Sequence, residues 1–300
     1  MKRIFVTFIV MLLSAKVFAS VYVIHDATES SVRSLTFQLS ALLPSSLQAK
    51  PVRSSAFDQN IAALQNDDIL VTIGRDSYSQ ICSTVNAGIV IATFIGQEEY
   101  LNIQKDCLIP SSGVFSGAPL DKHFALLNAV WFDRKPLAVL YSDALFIDRQ
   151  KMEKEAAEYG FELRFLKTDT DRLSVLKSVN FLLEESEVIL SLVDTRLYQD
   201  GVAQDILKLL FHKQRIMIGS SFAFVRAGSL FAIHSDSRSK LTALVERIRA
   251  WNDSELLIEA DYPDMLRVTF NPYLIRSHGV VLPSASYLKD KYGLCADTQC

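Results

Sequence analysis

The sequence predicts an α/β protein of two stacked lobes, each a largely parallel sheet covered by helices. Three observations carry this. Short apolar runs alternate with helical patterns of roughly 10–15 residues, the signature of β-α-β units. The runs are near-continuous in Val, Ile and Leu, as strands buried on both faces require. More than ten strands and helices along 300 residues exceed one comfortable sheet.

The elements follow in order. "VYVIHD" (Val21–Asp26) reads as a buried strand, and the next segment spaces Val32, Leu35, Leu39 and Leu42 on one helical face before Pro44 ends it. "DDILVTIG" (Asp67–Gly74) is a strand, "RDSYSQICSTVN" a helix, and "AGIVIATFIG" (Ala87–Gly96) a strand. A helix over Leu120–Phe132 precedes the strand "KPLAVLYSD", and the amphipathic "RQKMEKEAAEYG" stops at Gly160. "FELRFLKTD" and "EVILSLVD" are strands, separated by the helix "RLSVLKSVNFLLEES" and followed by the helix "QDILKLLFHKQ". "RIMIGSS" and "SLFAIHSD" are strands, and "SRSKLTALVERIRAWN" is a long amphipathic helix.

With 49% hydrophobic residues, the chain can bury a sizeable core. Its first 19 residues have a basic start (Lys2, Arg3), an apolar run (Ile4–Leu13) and the small-x-small pattern Val17-Phe18-Ala19. These features predict a signal peptide cleaved after Ala19, hence export. The run is shorter than the ~20 apolar residues a spanning helix needs. The full chain has a net charge of −3, and losing Lys2, Arg3 and Lys16 makes it more acidic. That balance argues against a nucleic-acid partner. Export permits disulfides among Cys82, Cys107, Cys295 and Cys300, and spacing does not fix their pairing. Neither a C-x-x-C pair nor a nearby His cluster points to a metal site.

Open parallel sheets bind ligands at the carboxyl ends of their strands. Those ends here are polar: His25-Asp26, Gly74-Arg75-Asp76, Ser142-Asp143, Asp194-Thr195, Gly219-Ser220-Ser221 and His234-Ser235-Asp236. Taken singly, each reads as an ordinary helix cap. As a set they mark a site. Catalytic signatures are missing. "GSSFA" lacks the G-x-S-x-G of a nucleophile elbow, and there is no G-x-G-x-x-G, no phosphate-binding G-x-x-x-x-G-K-[ST] and no H-E-x-x-H. The expectation is a binding protein that is not an enzyme and carries no cofactor.

Five passages resemble a known family. They are "GVFSGAPLDKHFALLNAVWFDRKPLAVLYSD" (Gly113–Asp143), "EVILSLVDTRLY" (Glu187–Tyr198), "IMIGSSFAFVRAGSLFAIHSD" (Ile216–Asp236), "SKLTALVERIRAW" and "VTFNPYLIRSHGVVLPSASYLKDKYG". Their spacing resembles that of the type I periplasmic solute-binding proteins of ABC importers. Within these it is similar to the tryptophan-binding-like branch called the uncharacterized ABC transport periplasmic component family.

The resemblance implies two Rossmann-like lobes with parallel sheets joined by a multi-crossover hinge, the type I periplasmic binding protein fold. The first lobe would be 20–136 plus 236–258, and the second 137–235 plus 259–300. A ligand in the cleft would meet Asp26, Arg75 and Asp76 from one lobe, and Ser142, Asp194, Thr195, Ser221 and Phe222 from the other, with Asp236 at the crossover. Ser221 stands where family members often carry Glu, Thr195 and Ser142 where they carry Asn, and Arg75 and Asp76 where they have Thr and a small residue. Losing the Glu removes a partner for an ammonium group, and Arg75 adds a cation able to grip a carboxylate. Arg75 equally reads as an intralobe partner of Asp76. Phe222 and Phe224 read either as an apolar wall of the cleft or as core. The implied ligand is a small molecule, amino-acid-like or carboxylate-bearing. The implied partner is the membrane permease of an ABC importer, or alternatively a membrane sensor, with the protein itself a monomer.

Overall fold

A computed structural model describes residues 20–57 and 64–296. The expected signal peptide and Cys300 lie outside the described residues. The first sheet runs β2-β1-β3-β4-β5 and is parallel throughout. Its strands are β1 (Val21–His25), β2 (Ala49–Arg53), β3 (Ile69–Ile73), β4 (Ile89–Ile95) and β5 (Ser111–Phe115). The sequence reading anticipates β1, β3 and β4, whose Val/Ile runs are buried on both faces. It misses β2, "AKPVR", because a Pro and two charges suit only the sheet edge, which is where the strand lies. Around this sheet stand α1 (Glu29–Leu42), α2 (Ser54–Phe57), α3 (Arg75–Thr84) and α4 (Gln97–Gln104). A disulfide joins Cys82 at the end of α3 to Cys107 after α4. Cys295 is disulfide-bonded as well.

The second sheet runs β12-β11-β10-β9-β8-β6-β7. Its strands are β6 (Leu137–Tyr141), β7 (Leu163–Lys167), β8 (Val188–Leu190), β9 (Ile216–Gly219), β10 (Phe231–His234), β11 (Leu266–Phe270) and β12 (Leu294–Ala296). All pairs are parallel except β10 with β11. The helices are α5 (Leu120–Val130), α6 (Arg149–Glu158), α7 (Arg172–Leu182), α8 (Val202–His212), α9 (Phe222–Ala227), α11 (Pro272–Ser277) and α12 (Ala285–Tyr292). The segment after Ser221 is the short helix α9.

Two packing facts set the lobe boundaries. Phe124, Leu126, Leu127 and Val130 of α5 join the core of the second sheet with Leu137 and Val139. The first crossover is therefore at about 116–119, not at 136 as the sequence reading had it. Helix α10 (Ser237–Ser254) returns to the first lobe, where Leu241, Leu244 and Ile248 pack with Val21, Val32 and Val71. The third connection, 256–265, is tied to the first lobe by Ser112 Oγ donating to Ile258 O at 2.6 Å and by Arg247 donating to Glu259 O at 3.1 Å. Among the described residues no helix is long and apolar enough to cross a membrane.

Candidate functional site

The two lobes meet along α4. Glu99, fully buried on α4, reaches across the gap, where its Oε1 accepts from Thr195 N at 2.8 Å and from Thr195 Oγ1. Its Oε2 accepts from Gly96 N in its own lobe at 3.3 Å. Burial pushes the Glu99 carboxyl above its usual range, with the hydrogen bonds from Thr195 and Gly96 acting the other way. Nearby, Asn102 Nδ2 donates to Ala144 O at 3.1 Å, and Phe146 N donates to Glu98 O at 3.0 Å. Gly96 allows this approach, since a Cβ there would lie 2.7 Å from the Cβ of Val193.

Beside this seam lies a cavity of about 470 Å³ walled by both lobes. That falls within the ~300–1,000 Å³ usual for small-molecule sites. The second lobe contributes the Val193–Thr195 turn after β8, Tyr198, and Ser220–Phe224 at the start of α9. The first lobe contributes Phe94 and Lys240, and the crossover contributes Ser116 and Gly117. A larger hollow of about 900 Å³ opens beyond β7, lined by residues of the second lobe alone, so lobe closure would not sense its contents.

Phe94 is placed by strained backbone. It sits at φ +57° where the β4–β5 register slips between Thr93 and Ile95. A non-glycine residue in this left-handed region costs roughly 1–2 kcal/mol, and bulges of this kind re-aim side chains next to functional sites. Lys240, in the first turns of α10, holds its Nζ 5.0 Å from the centre of the Phe94 ring and donates to Ser116 Oγ at 3.2 Å. Burial pulls the Lys240 ammonium below its usual range, and the Asp236 charge opposes this. His234 faces the cavity with its ring 5.9 Å from Phe222. Burial likewise lowers its pKa. Phe222 is 47% exposed, and Phe224 packs edge-on against Tyr198.

The structure divides the residues singled out in the sequence. Asp194, Thr195, Ser221, Phe222 and Phe224 line the cavity. Asp194, however, is 2% exposed and saturated. It accepts from Ser142 N at 2.8 Å, Ser142 Oγ at 3.0 Å and Leu197 N at 3.0 Å, so it staples the end of β6 to the turn after β8. Ser142 is the buried other half of that staple. Thr195 faces Glu99.

Asp26, Arg75 and Asp76 sit apart from this cavity, at the ends of β1 and β3. Arg75 pairs with Asp76 at 3.1 Å, and Asp26 accepts from Ser77 Oγ at 3.2 Å. Asp236 caps α10, accepting from Ser239 N and Oγ at 2.8 Å, and takes the Arg267 guanidinium on its other oxygen at 2.8 Å. Burial raises its pKa, but the bonds from Ser239 and Arg267 outweigh that and hold it at about 2. Phe94, Glu99 and Lys240 went unnoticed in the sequence. The end of β4 was available as a signal, since it is a strand end like the others, but it carries an aromatic residue where the others carry polar ones. Among the described residues no group of His, Cys, Asp or Glu is placed to hold a metal ion.

No protein-family model and no curated sequence matches the chain. Solved structures match it in shape at low identity. A conserved domain protein from Vibrio cholerae gives a TM-score of 0.67 at 14% identity, over 89% of this chain and 97% of that one. An ABC domain in complex with L-Trp from Streptococcus pneumonia gives 0.67 at 15%, over 93% and 99%. The chain has the type I periplasmic binding protein fold. A ligand-free, open substrate binding protein with adhesive properties from Clostridium difficile shares this fold with a TM-score of 0.60 at 11% identity, over 94% and 100%. The fold accounts for three crossovers and for a cavity set between lobes.

Proposed function

We propose that the protein is a periplasmic solute receptor that captures a small molecule, amino-acid-like or carboxylate-bearing, between its lobes. The loaded form is presented to the permease of an ABC importer. The observation that carries this reading is the cavity between Phe94, Ser116 and Lys240 on one side and Thr195 and Ser221–Phe224 on the other. A ligand that touches both walls stabilises the closed form by its difference in affinity for the two states, which is what a receptor needs to signal occupancy. The neighbours in fold support the reading, since one holds L-Trp and another is a substrate binding protein.

The test is a thermal-shift screen of the purified protein against amino acids, nucleosides, small carboxylates, sugars and phosphonates. A ligand at 100-fold over its Kd adds about 2.7 kcal/mol and raises the midpoint by several degrees. The expected hit loses its shift in Phe222→Ala, which opens the cavity wall. A response that is flat across all classes overturns the proposal.

A further inference from the structure

The charges lining the cavity are unequal. Its one carboxylate, Asp194, has both oxygens occupied by Ser142 and Leu197. Glu99, behind Thr195, is also fully engaged. Lys240 is different. Its ammonium is half-buried, and among the described residues its only hydrogen bond goes to the neutral Ser116 Oγ and it makes no ion pair. Asp236, one helical turn back, has both its oxygens taken by Ser239 and Arg267. The rest of the lining mixes neutral polar groups such as Thr195, Gln199, Ser221 and His234 with four aromatic rings, Phe94, Tyr198, Phe222 and Phe224.

Resting on the receptor reading above, we infer that the cleft takes a monocarboxylic acid with a flat apolar body and rejects the α-amino acid of the same skeleton. The carboxylate docks on Lys240 Nζ and Ser116 Oγ, restoring a counter-charge to a desolvated cation. The ring lies among Phe94, Phe222 and Phe224, where offset or edge-on aromatic contacts add to burial. An α-ammonium attached next to that carboxylate would sit close to the Lys240 charge and find no free carboxylate of its own. Like charge and an unmatched buried cation both count against it, so the pocket discriminates by repulsion as well as by fit.

The experiment is a titration calorimetry comparison on the unaltered protein of 3-phenylpropionate, L-phenylalanine and 3-phenylpropionamide, repeated with 3-(indol-3-yl)propionate and L-tryptophan. The expected result is that each acid binds at least tenfold more tightly than its amino acid and than the neutral amide. Lys240→Met, which keeps the apolar stem, should erase the preference for acid over amide, and Lys240→Arg should keep part of it. An amino acid binding as tightly as its deaminated acid overturns the inference and leaves the receptor reading intact. So does an amide equal to the acid. If none of these probes binds while a sugar or nucleoside does in the thermal-shift screen, the inference falls and the receptor stands. If nothing in either set binds, both fall. The comparison of ligands on unaltered protein decides the matter even where a Lys240 variant is unstable.

Discussion

Glu99→Ala should open the protein. In the closed arrangement the Glu99 carboxylate accepts two hydrogen bonds from Thr195 across the lobe boundary. Hydrogen bonds to a charged group contribute roughly 1.5–3 kcal/mol each, and the desolvation of a fully buried carboxylate cancels much of that. A net of about 1.5 kcal/mol is left, which moves the open-to-closed ratio about tenfold toward open. The pH dependence has a definite sign. Burial raises the closed-state pKa of Glu99 above 4.5, its ordinary value in an open cleft, so the closed form binds the proton more tightly. Closure is therefore favoured at acid pH and is lost as pH rises through the raised pKa. Glu98, held up at about 7 chiefly by burial, adds the same trend between pH 4.5 and 7.

The assay is a distance measurement between spin labels at Phe37 on α1 and Phe211 on α8, both exposed and in different lobes. The described cysteines are disulfide-bonded, so labelling can be directed to Phe37→Cys and Phe211→Cys. Glu99→Ala should populate longer distances. Glu99→Gln, which keeps an acceptor but cannot titrate, should lose part of the pH dependence, and Thr195→Val should give a smaller opening than Glu99→Ala. A distance distribution in Glu99→Ala that matches unaltered protein at every pH from 5 to 8 would refute the reasoning.

Replacing Cys82 and Cys107 by Ser frees a loop with a sequence separation of 25 residues. Chain entropy then predicts a loss of about 3.5 kcal/mol, or about 7 °C in Tm by calorimetry. Asp194→Ala strips partners from three buried donors and should cost roughly 3 kcal/mol in urea unfolding, so its main effect is on folding rather than on solute recognition. His123 is 4% exposed, and burial lowers its pKa from 6.5 to about 4 against an opposing hydrogen bond with Pro119 O. Its contribution to stability is present above pH 6.5 and falls away toward pH 4, by roughly 3 kcal/mol in all, and His123→Gln should flatten that part of the stability–pH curve.

Some of the site was legible and some was not, for reasons visible in particular residues. Ser221 and Phe222 stand out in the sequence because a strand ending in Gly-Ser is a local pattern, and both line the cavity. Arg75 and Asp236 look like ligand residues by the same pattern, yet one pairs with its neighbour Asp76 and the other caps α10 and holds Arg267. A strand-end polar residue can point at a ligand, a backbone N–H or a partner from another element, and the sequence is identical in all three cases. Phe94 depends on a slipped register and a left-handed backbone, which are properties of the pairing of β4 with β5 and not of Phe.

By itself the sequence determined the class of the fold. Alternation of apolar runs and amphipathic segments is set by periods of two and 3.6 residues, and these are local. It also determined that the strand ends would be polar. Only the tertiary structure decided which lobe α5 joins, that α10 crosses back to bring Lys240 to the cleft, and that Glu99 closes on Thr195. These depend on contacts between residues as far apart as 96 and 124 positions, Glu99 with Thr195 and Ser116 with Lys240. Burial of whole helix faces against each sheet sets where the two lobes lie. The side chains that then face one another across the gap leave no periodic trace in the chain.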